Sequence, residues 1–244
     1  MACIIELKDA CFSAQSKSIV RGLSFRFEEG KTTALAGPSG SGKSTVLKLA
    51  AGLFPPSEGE ALFRGKSIAR MNRQEDLEFR RESAVVFQDS ALWANQNLYQ
   101  ILELPLRVHF PLMTRKEREE RIKAVAAEVG YRRELGIRPV ELSMGEQKLL
   151  GFARAMICRP RLLYLDECTE SLDASAAQRL IDLVKRFKDQ GVSILFVSHD
   201  VRIIREVADI AVMIYGGRIS LQLTNDQIDS DEEMSHYIER GMVS

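Results

Sequence analysis

One stretch constrains this chain more than any other: Gly37-Pro38-Ser39-Gly40-Ser41-Gly42-Lys43-Ser44-Thr45. It matches G-x-x-x-x-G-K-[ST], a phosphate-binding pattern that requires a strand before it and a helix after it. Lys31–Ala36 is apolar and partly β-branched, which predicts a buried strand, and Val46–Ala51 reads as a helix. Gly37, Gly40 and Gly42 let the backbone turn its N–H groups inward. The helix start adds free N–H groups and the positive end of its dipole. Lys43 can reach β- and γ-phosphates, and the Ser44 hydroxyl is placed for Mg²⁺. A glycine-rich turn can fit the same pattern and bind nothing, so the rest of the chain has to discriminate.

The 244 residues allow one large α/β domain or a core with a lobe inserted in it. Lys plus Arg number 34 and so do Asp plus Glu, which argues against bulk electrostatic binding of nucleic acid. No apolar run approaches the ~20 residues that span a bilayer, and no signal-peptide pattern opens the sequence. Cys3, Cys11, Cys158 and Cys168 have neither metal spacing nor the look of a disulfide framework, and they fit a reduced cytosol as packing residues.

Ile5–Lys8 and Leu23–Phe27 alternate apolar and polar, predicting an antiparallel sheet beside the phosphate loop, and Glu60–Phe63 adds a strand after the Pro55–Gly59 turn. Ser83–Phe87 reads as a buried strand. From Asp89 to Pro160 the pattern is helical: Thr114 and Glu117 form a capping box, Ile122, Val125, Ala126 and Val129 recur on one face, and Gly130 stops the helix. Strands return at Leu162–Leu165, Ser193–Val197 and Ala211–Tyr215, with a helix near 174–189. This alternation predicts a mainly parallel sheet covered by helices on both faces. The expected boundaries are a nucleotide-binding core with a β-subdomain at 1–87 and 161–220, a helical subdomain at 88–160, and a tail at 221–244. The tail reads as an acidic closing helix with Met234, Tyr237 and Ile238 on one face.

Leu162–Leu165 delivers Asp166 and Glu167 at a strand end, where paired acids hold Mg²⁺ and polarise water, or simply form a solvated turn. Leu142-Ser143-Met144-Gly145-Glu146 opens a helix whose start is either an anion site or an ordinary cap with Glu146 at its third position.

Together these elements resemble, over nearly the whole chain, the nucleotide-binding subunits of ATP-binding-cassette (ABC) transporters. Gln88 after its strand looks like the Q-loop, Leu142–Glu146 like the LSGGQ signature, Asp166-Glu167 like the Walker B end, Ser171–Asp173 like the D-loop, and Ser198-His199 like the switch histidine. They follow the family's order. The resemblance implies a P-loop NTPase core with ATP and Mg²⁺ as cofactors. It implies Glu167, His199 and Gln88 as catalytic residues, and Ser44, Gln88 and Asp166 at the metal. It also implies a head-to-tail homodimer, or a pair with a second such subunit, in which Ser143, Gly145 and Asp173 approach ATP held by Gly37–Thr45 across the interface. Integral membrane permease subunits would dock at the helical subdomain and the Gln88 loop, holding the chain on the cytoplasmic face of the membrane. No nucleic-acid partner is expected.

The chain departs from the family pattern at Met144 and Glu146 in the signature, at Cys168 where Pro is usual, and at Ala14 where an aromatic usually stacks on adenine. Phe12, two positions earlier, reads as a core-facing strand residue. Phe87–Trp93 and Pro105–His109 are similar to the Mla-type ATPases of phospholipid trafficking. Other small cassettes, for lipoprotein release or small solutes, and an ATP-gated mechanical module stay open. A DNA-repair cassette would need coiled-coil or zinc insertions, and a GTPase an Asn-Lys-x-Asp element; neither is found.

Overall fold

The centre of the computed structural model, which describes residues 2–230, is a six-stranded sheet, fully buried at its middle strands. In chain order the strands are β1 (Cys3–Ala14), β2 (Lys17–Glu28), β3 (Thr32–Ala36), β4 (Glu58–Phe63), β5 (Lys66–Ser67), β6 (Ser83–Val86), β7 (Leu162–Asp166), β8 (Ser193–Val197), β9 (Ile210–Tyr215) and β10 (Arg218–Thr224). The α-helices are α1 (Lys43–Ala50), α2 (Arg73–Glu82), α3 (Leu98–His109), α4 (Arg115–Glu128), α5 (Met144–Met156), α6 (Ala174–Asp189), α7 (Val201–Val207) and α8 (Asn225–Ser230).

The central sheet runs β10-β9-β3-β8-β7-β6. Its pairings are parallel except for β9 with β10. Every residue of β3, β7 and β8 is buried, as parallel strands covered on both faces require. Alternate residues face different cores. Leu163, Leu165, Ile194 and Phe196 join one apolar cluster with α3, α4, α5 and α6. Leu162, Tyr164, Leu195 and Val197 join a second with α1 and the N-terminal sheet. That sheet, β2-β1-β4-β5, is antiparallel throughout. The α/β architecture expected from the sequence is therefore present in both of its sheets.

The helical stretch packs onto the core through a continuous apolar face. Leu98, Ile101, Leu102, Leu106 and Ile122 lie in the same cluster as Leu163 and Phe196. Its helices start where side chains cap them: Asn97 with Gln100, Thr114 with Glu117, and Ser143 with Glu146 each form a capping box. Strand β10 runs across the expected 220/221 boundary to Thr224, where α8 follows. Met234, Tyr237 and Ile238 lie outside the described residues. Phe12 packs against the second apolar cluster, as expected of a core-facing residue, but it is only partly buried and also stacks on Phe54 at 5.2 Å.

Candidate active site

The phosphate loop joins the end of β3 to α1. Gly37 has φ +134°, and a Cβ there would stand 2.2 Å from the Ile214 carbonyl oxygen, so only glycine fits. Gly42 begins α1 in a left-handed conformation with no side-chain cap, leaving the helix start to the loop. Lys43 Nζ donates to the carbonyls of Gly37 and Pro38, both at 2.9 Å, which folds its ammonium back over the loop. Burial holds the Lys43 ammonium below the usual lysine range, while Glu167 and Asp166 pull the other way. Ser41 Oγ is buried without a hydrogen-bond partner. An unpaired hydroxyl beside an uncapped helix start is what a phosphate-binding loop presents, so these residues fit a nucleotide triphosphate.

The ends of β7 and β8 supply the acids and the histidine. Ser44 Oγ donates to Asp166 Oδ1 at 2.7 Å, and Lys48 Nζ stands 3.9 Å from Asp166 Oδ2. A hydroxyl and a carboxylate converging from two elements fit a hard divalent cation such as Mg²⁺. Glu167 adopts φ +50°, a conformation that costs a residue with a Cβ about 1–3 kcal/mol when the surroundings impose it. The turn aims its carboxylate at His199, whose Nδ1 lies 3.1 Å from Glu167 Oε2. Glu167, Glu170 and His199 bring their ligand atoms within 4.8 Å of one another. Gln88 Nε2 donates to Glu170, so the loop after β6 reaches the same cluster.

A cleft of ≈ 450 Å³ runs along this assembly, lined by Ser39, Gly40, Gly42–Thr45 and Glu167 on one side and by Lys17, Ile19 and Arg21 on the other. Ala14 and Phe12 are not in its wall. Gly216 and Gly217 close it, and a Cβ at Gly217 would strike the Ile19 carbonyl at 2.2 Å.

Ser143, Gly145 and Asp173 do not line this cleft. Ser143 caps α5: its amide and hydroxyl donate to Glu146 Oε2, both at 2.9 Å, and its hydroxyl accepts from the Glu146 amide at 3.3 Å. Those bonds, the amide's first, hold the Glu146 carboxyl below its usual range. Asp173 caps α6, accepting from the Ala176 amide at 2.8 Å. A Cβ at Gly145 would stand 3.8 Å from Ala176 Cβ, so the two helix starts lie side by side. Cys168 is buried and its thiol is pushed up to about 12 by that burial, which makes it inert packing beside Glu167. Glu170, Lys48, Ile19 and Arg21 are the site residues that sequence reasoning missed. The first is one more acid after a strand, and the others belong to no motif.

A phosphate loop on a central parallel strand, with acids delivered by the end of β7 one strand further across the sheet, defines a phosphate-loop nucleotide hydrolase. Comparison with known proteins narrows the class. Residues 20–170 match the family described as "ABC transporter". The chain is 30% identical over 234 residues to the oligopeptide transport ATP-binding protein OppF of Haemophilus influenzae, covering 94% of this chain and 70% of the relative. It is 32% identical over 237 residues to the nickel import ATP-binding protein NikE of Shigella flexneri, covering 94% and 87%. It is 31% identical over 232 residues to the intermembrane phospholipid transport ATP-binding protein MlaF of H. influenzae, covering 95% and 88%. Among solved structures, the ATP-binding cassette MJ0796, a dimer in a post-hydrolysis state with ADP and Pi, superposes with a TM-score of 0.83. Its identity is 24%, covering 91% of this chain and 99% of that one, and this likeness concerns the fold. The chain belongs to the ABC transporter family, as an ATP-binding subunit and ATPase.

Proposed function

We propose that the Gly37–Thr45 loop and Lys43 hold the triphosphate, that Glu167 acts as general base on the attacking water, and that His199 fixes Glu167 and meets the γ-phosphate. Asp166, Ser44 and Gln88 would hold Mg²⁺, which would supply charge neutralisation for the triphosphate. The observation that carries this reading is the lining of one cleft by both Glu167 and the phosphate loop, with Glu167 held 3.1 Å from His199. Ser143 and Gly145 serve the other half of a dimer: their place at the start of α5, a helix N-terminus suited to an anion, supports a role toward ATP held by a second subunit. Asp173 joins the same interface from the start of α6. ATP then acts as a ligand of the closed state, and hydrolysis releases it.

Among the described residues no helix is long and apolar enough to cross a membrane, which supports a cytoplasmic motor acting on separate membrane subunits. Trp93, Phe87, Pro105 and His109 line one groove with Leu53 and Ala84, and this is where we place the permease contact. For the cargo we propose a phospholipid, from the Phe87–Trp93 and Pro105–His109 runs that share this groove. Relatives named for oligopeptide and nickel transport are matched at the same level of identity and do not favour it. Lipid analysis of the purified transporter complex tests the cargo.

The central test is the mass of the Glu167→Gln protein in solution with and without Mg-ATP. A nucleotide-dependent shift from monomer to dimer is expected. ATP binding with no shift, in the presence of the membrane subunits, would overturn the two-site reading.

A further inference from the structure

Helix α5 buries a lysine that makes no ion pair with a carboxylate among the described residues. Lys148 is 3% exposed, and its Nζ donates to the main-chain carbonyl of Gln88. Burying an ammonium is costly unless strong acceptors surround it, and a Leu or Met in this place would pack at no such cost. Burial indeed holds Lys148 below the usual lysine range, although the electrostatic influence of Cys168, Glu170, Asp89 and Glu167 opposes the shift.

Two further residues on the same stripe of α5 point to what the lysine does. Positions 148, 151 and 154 are three apart and share one helix face. Gly151 lies against Ser90: a Cβ there would be 3.4 Å from Ser90 Cβ. Arg154 donates to the carbonyls of Ala91 and of Ser90, the latter at 3.1 Å, and its guanidinium lies over the Trp93 ring at 5.6 Å. Ser90 and Ala91 are held at φ +61° and +45°, two successive left-handed residues that are not glycine. Such a conformation persists only when the surroundings impose it. Arg154 grips the carbonyls of both residues, the Asp89 carboxylate accepts from the Ala91 amide, and Lys148 holds the Gln88 carbonyl two residues before them.

We propose that Lys148 and Arg154 are positioning residues that clamp the Gln88 loop to α5, so that the loop and the helix start bearing Ser143 and Gly145 move as one unit. This rests on the reading above that Gln88 meets the nucleotide. The clamp grips the main chain, not the Gln88 side chain. It sets how far Gln88 Nε2 reaches toward the Glu167–Glu170–His199 cluster, and it carries any shift of the loop to the signature end of α5.

Trp93 is the single tryptophan of the chain, so its fluorescence reports this loop alone. The experiment compares acrylamide quenching of Trp93 and steady-state ATP hydrolysis in the parent, Lys148→Met, Lys148→Arg and Gln88→Ala proteins. Lys148→Met is expected to raise the quenching constant about twofold and to lower kcat about tenfold with KM within about threefold. Lys148→Arg should restore both, and Gln88→Ala should lower kcat with quenching unchanged, because its carbonyl remains. Parent-like quenching in Lys148→Met overturns the clamp. Raised quenching with unchanged kcat overturns its role in the reaction. If Lys148→Met does not fold, Arg154→Lys, which keeps the charge and loses the fork, decides the same question. A parent protein that fails to bind Mg-ATP refutes the functional reading, while the quenching comparison still decides the clamp.

Discussion

Two helix starts in this molecule meet the same physics in opposite ways. Helix α1 begins at Gly42 with no side-chain cap, and the loop before it turns Lys43 back on its own carbonyls. Helix α5 begins at Ser143 and is sealed by its own carboxylate: Glu146 accepts from the Ser143 amide and hydroxyl and is paired with Arg133 at 3.2 Å. Both carry the partial positive charge of a helix N-terminus. The first is open to an anion. The second already has one, and an arriving phosphate must compete with Glu146 for the Ser143 hydroxyl. Under the two-subunit reading proposed above, the difference sets an order of events: nucleotide would bind the α1 side of one subunit, and the α5 side of another would close only if its cap yields. The phosphate loop is then the constitutive half of the site, and the signature the conditional half.

Removing the chemistry while leaving both halves intact makes this order visible. Glu167→Gln should retain nucleotide binding and lower turnover by about 10²–10⁴-fold, the range for loss of a general base. A parent-like rate in single-turnover assays would remove Glu167 from that role. Lys43→Ala attacks the open half. It deletes charge-assisted bonds to phosphate and should weaken ATP binding about 10- to 100-fold in calorimetry. Unchanged affinity would mean that the loop amides alone hold the triphosphate.

The open half could be read from the sequence because its parts are contiguous: strand, glycines, lysine and helix all lie between Thr32 and Ala50. The Ser143–Glu146 box and the Thr114–Glu117 box were legible for the same reason, each needing only four positions. What joins distant segments was not. Gln88 meeting Glu170, and Lys148 meeting Gln88, depend on how β6, β7 and α5 pack, and no local pattern encodes that packing. One signal existed: Lys148 falls on the stripe of α5 that also buries Phe152 and Ala155, and a charge on an apolar stripe asks for a partner. The N-terminal strands were read short because alternation breaks where the pairing register shifts. β1 is irregular between Leu7 and Ala10, around Asp9 at φ +45°. Phe12 lies beyond this irregularity at the margin of the second apolar cluster, packed against it and stacked on Phe54.

Ser143→Arg attacks the sealed half. In the Glu167→Gln background it should leave ATP binding to the monomer within about twofold and weaken ATP-dependent dimerisation by about tenfold or more, as a bulky charge at an interface centre does. Sedimentation with and without Mg-ATP measures it. Dimerisation of undiminished strength would show that α5 does not close over the partner's nucleotide, and the two helix starts would then be unrelated in function.

The finest cut between the halves is Glu146→Gln. It keeps the cap geometry, since glutamine serves at the third position of a capping box, and removes the charge that competes with phosphate. The thermodynamic sign follows from the lowered Glu146 carboxyl. Below its unfolded value in the native chain, it stabilises the fold above the ordinary carboxylate range, and that stability is lost as pH falls through the folded value. Glu146→Gln should therefore flatten the acid limb of a thermal-stability profile, at a cost near neutral pH of about 1 kcal/mol or less. The same change should tighten ATP-dependent dimerisation of the Glu167→Gln protein by about two- to fivefold, which matches about 0.3–1 kcal/mol for one charge at a helix N-terminus. If the dimer instead weakens by a similar factor, the Glu146 carboxylate is part of the closed state. The α5 start would then be a finished contact surface and not a site that phosphate must open.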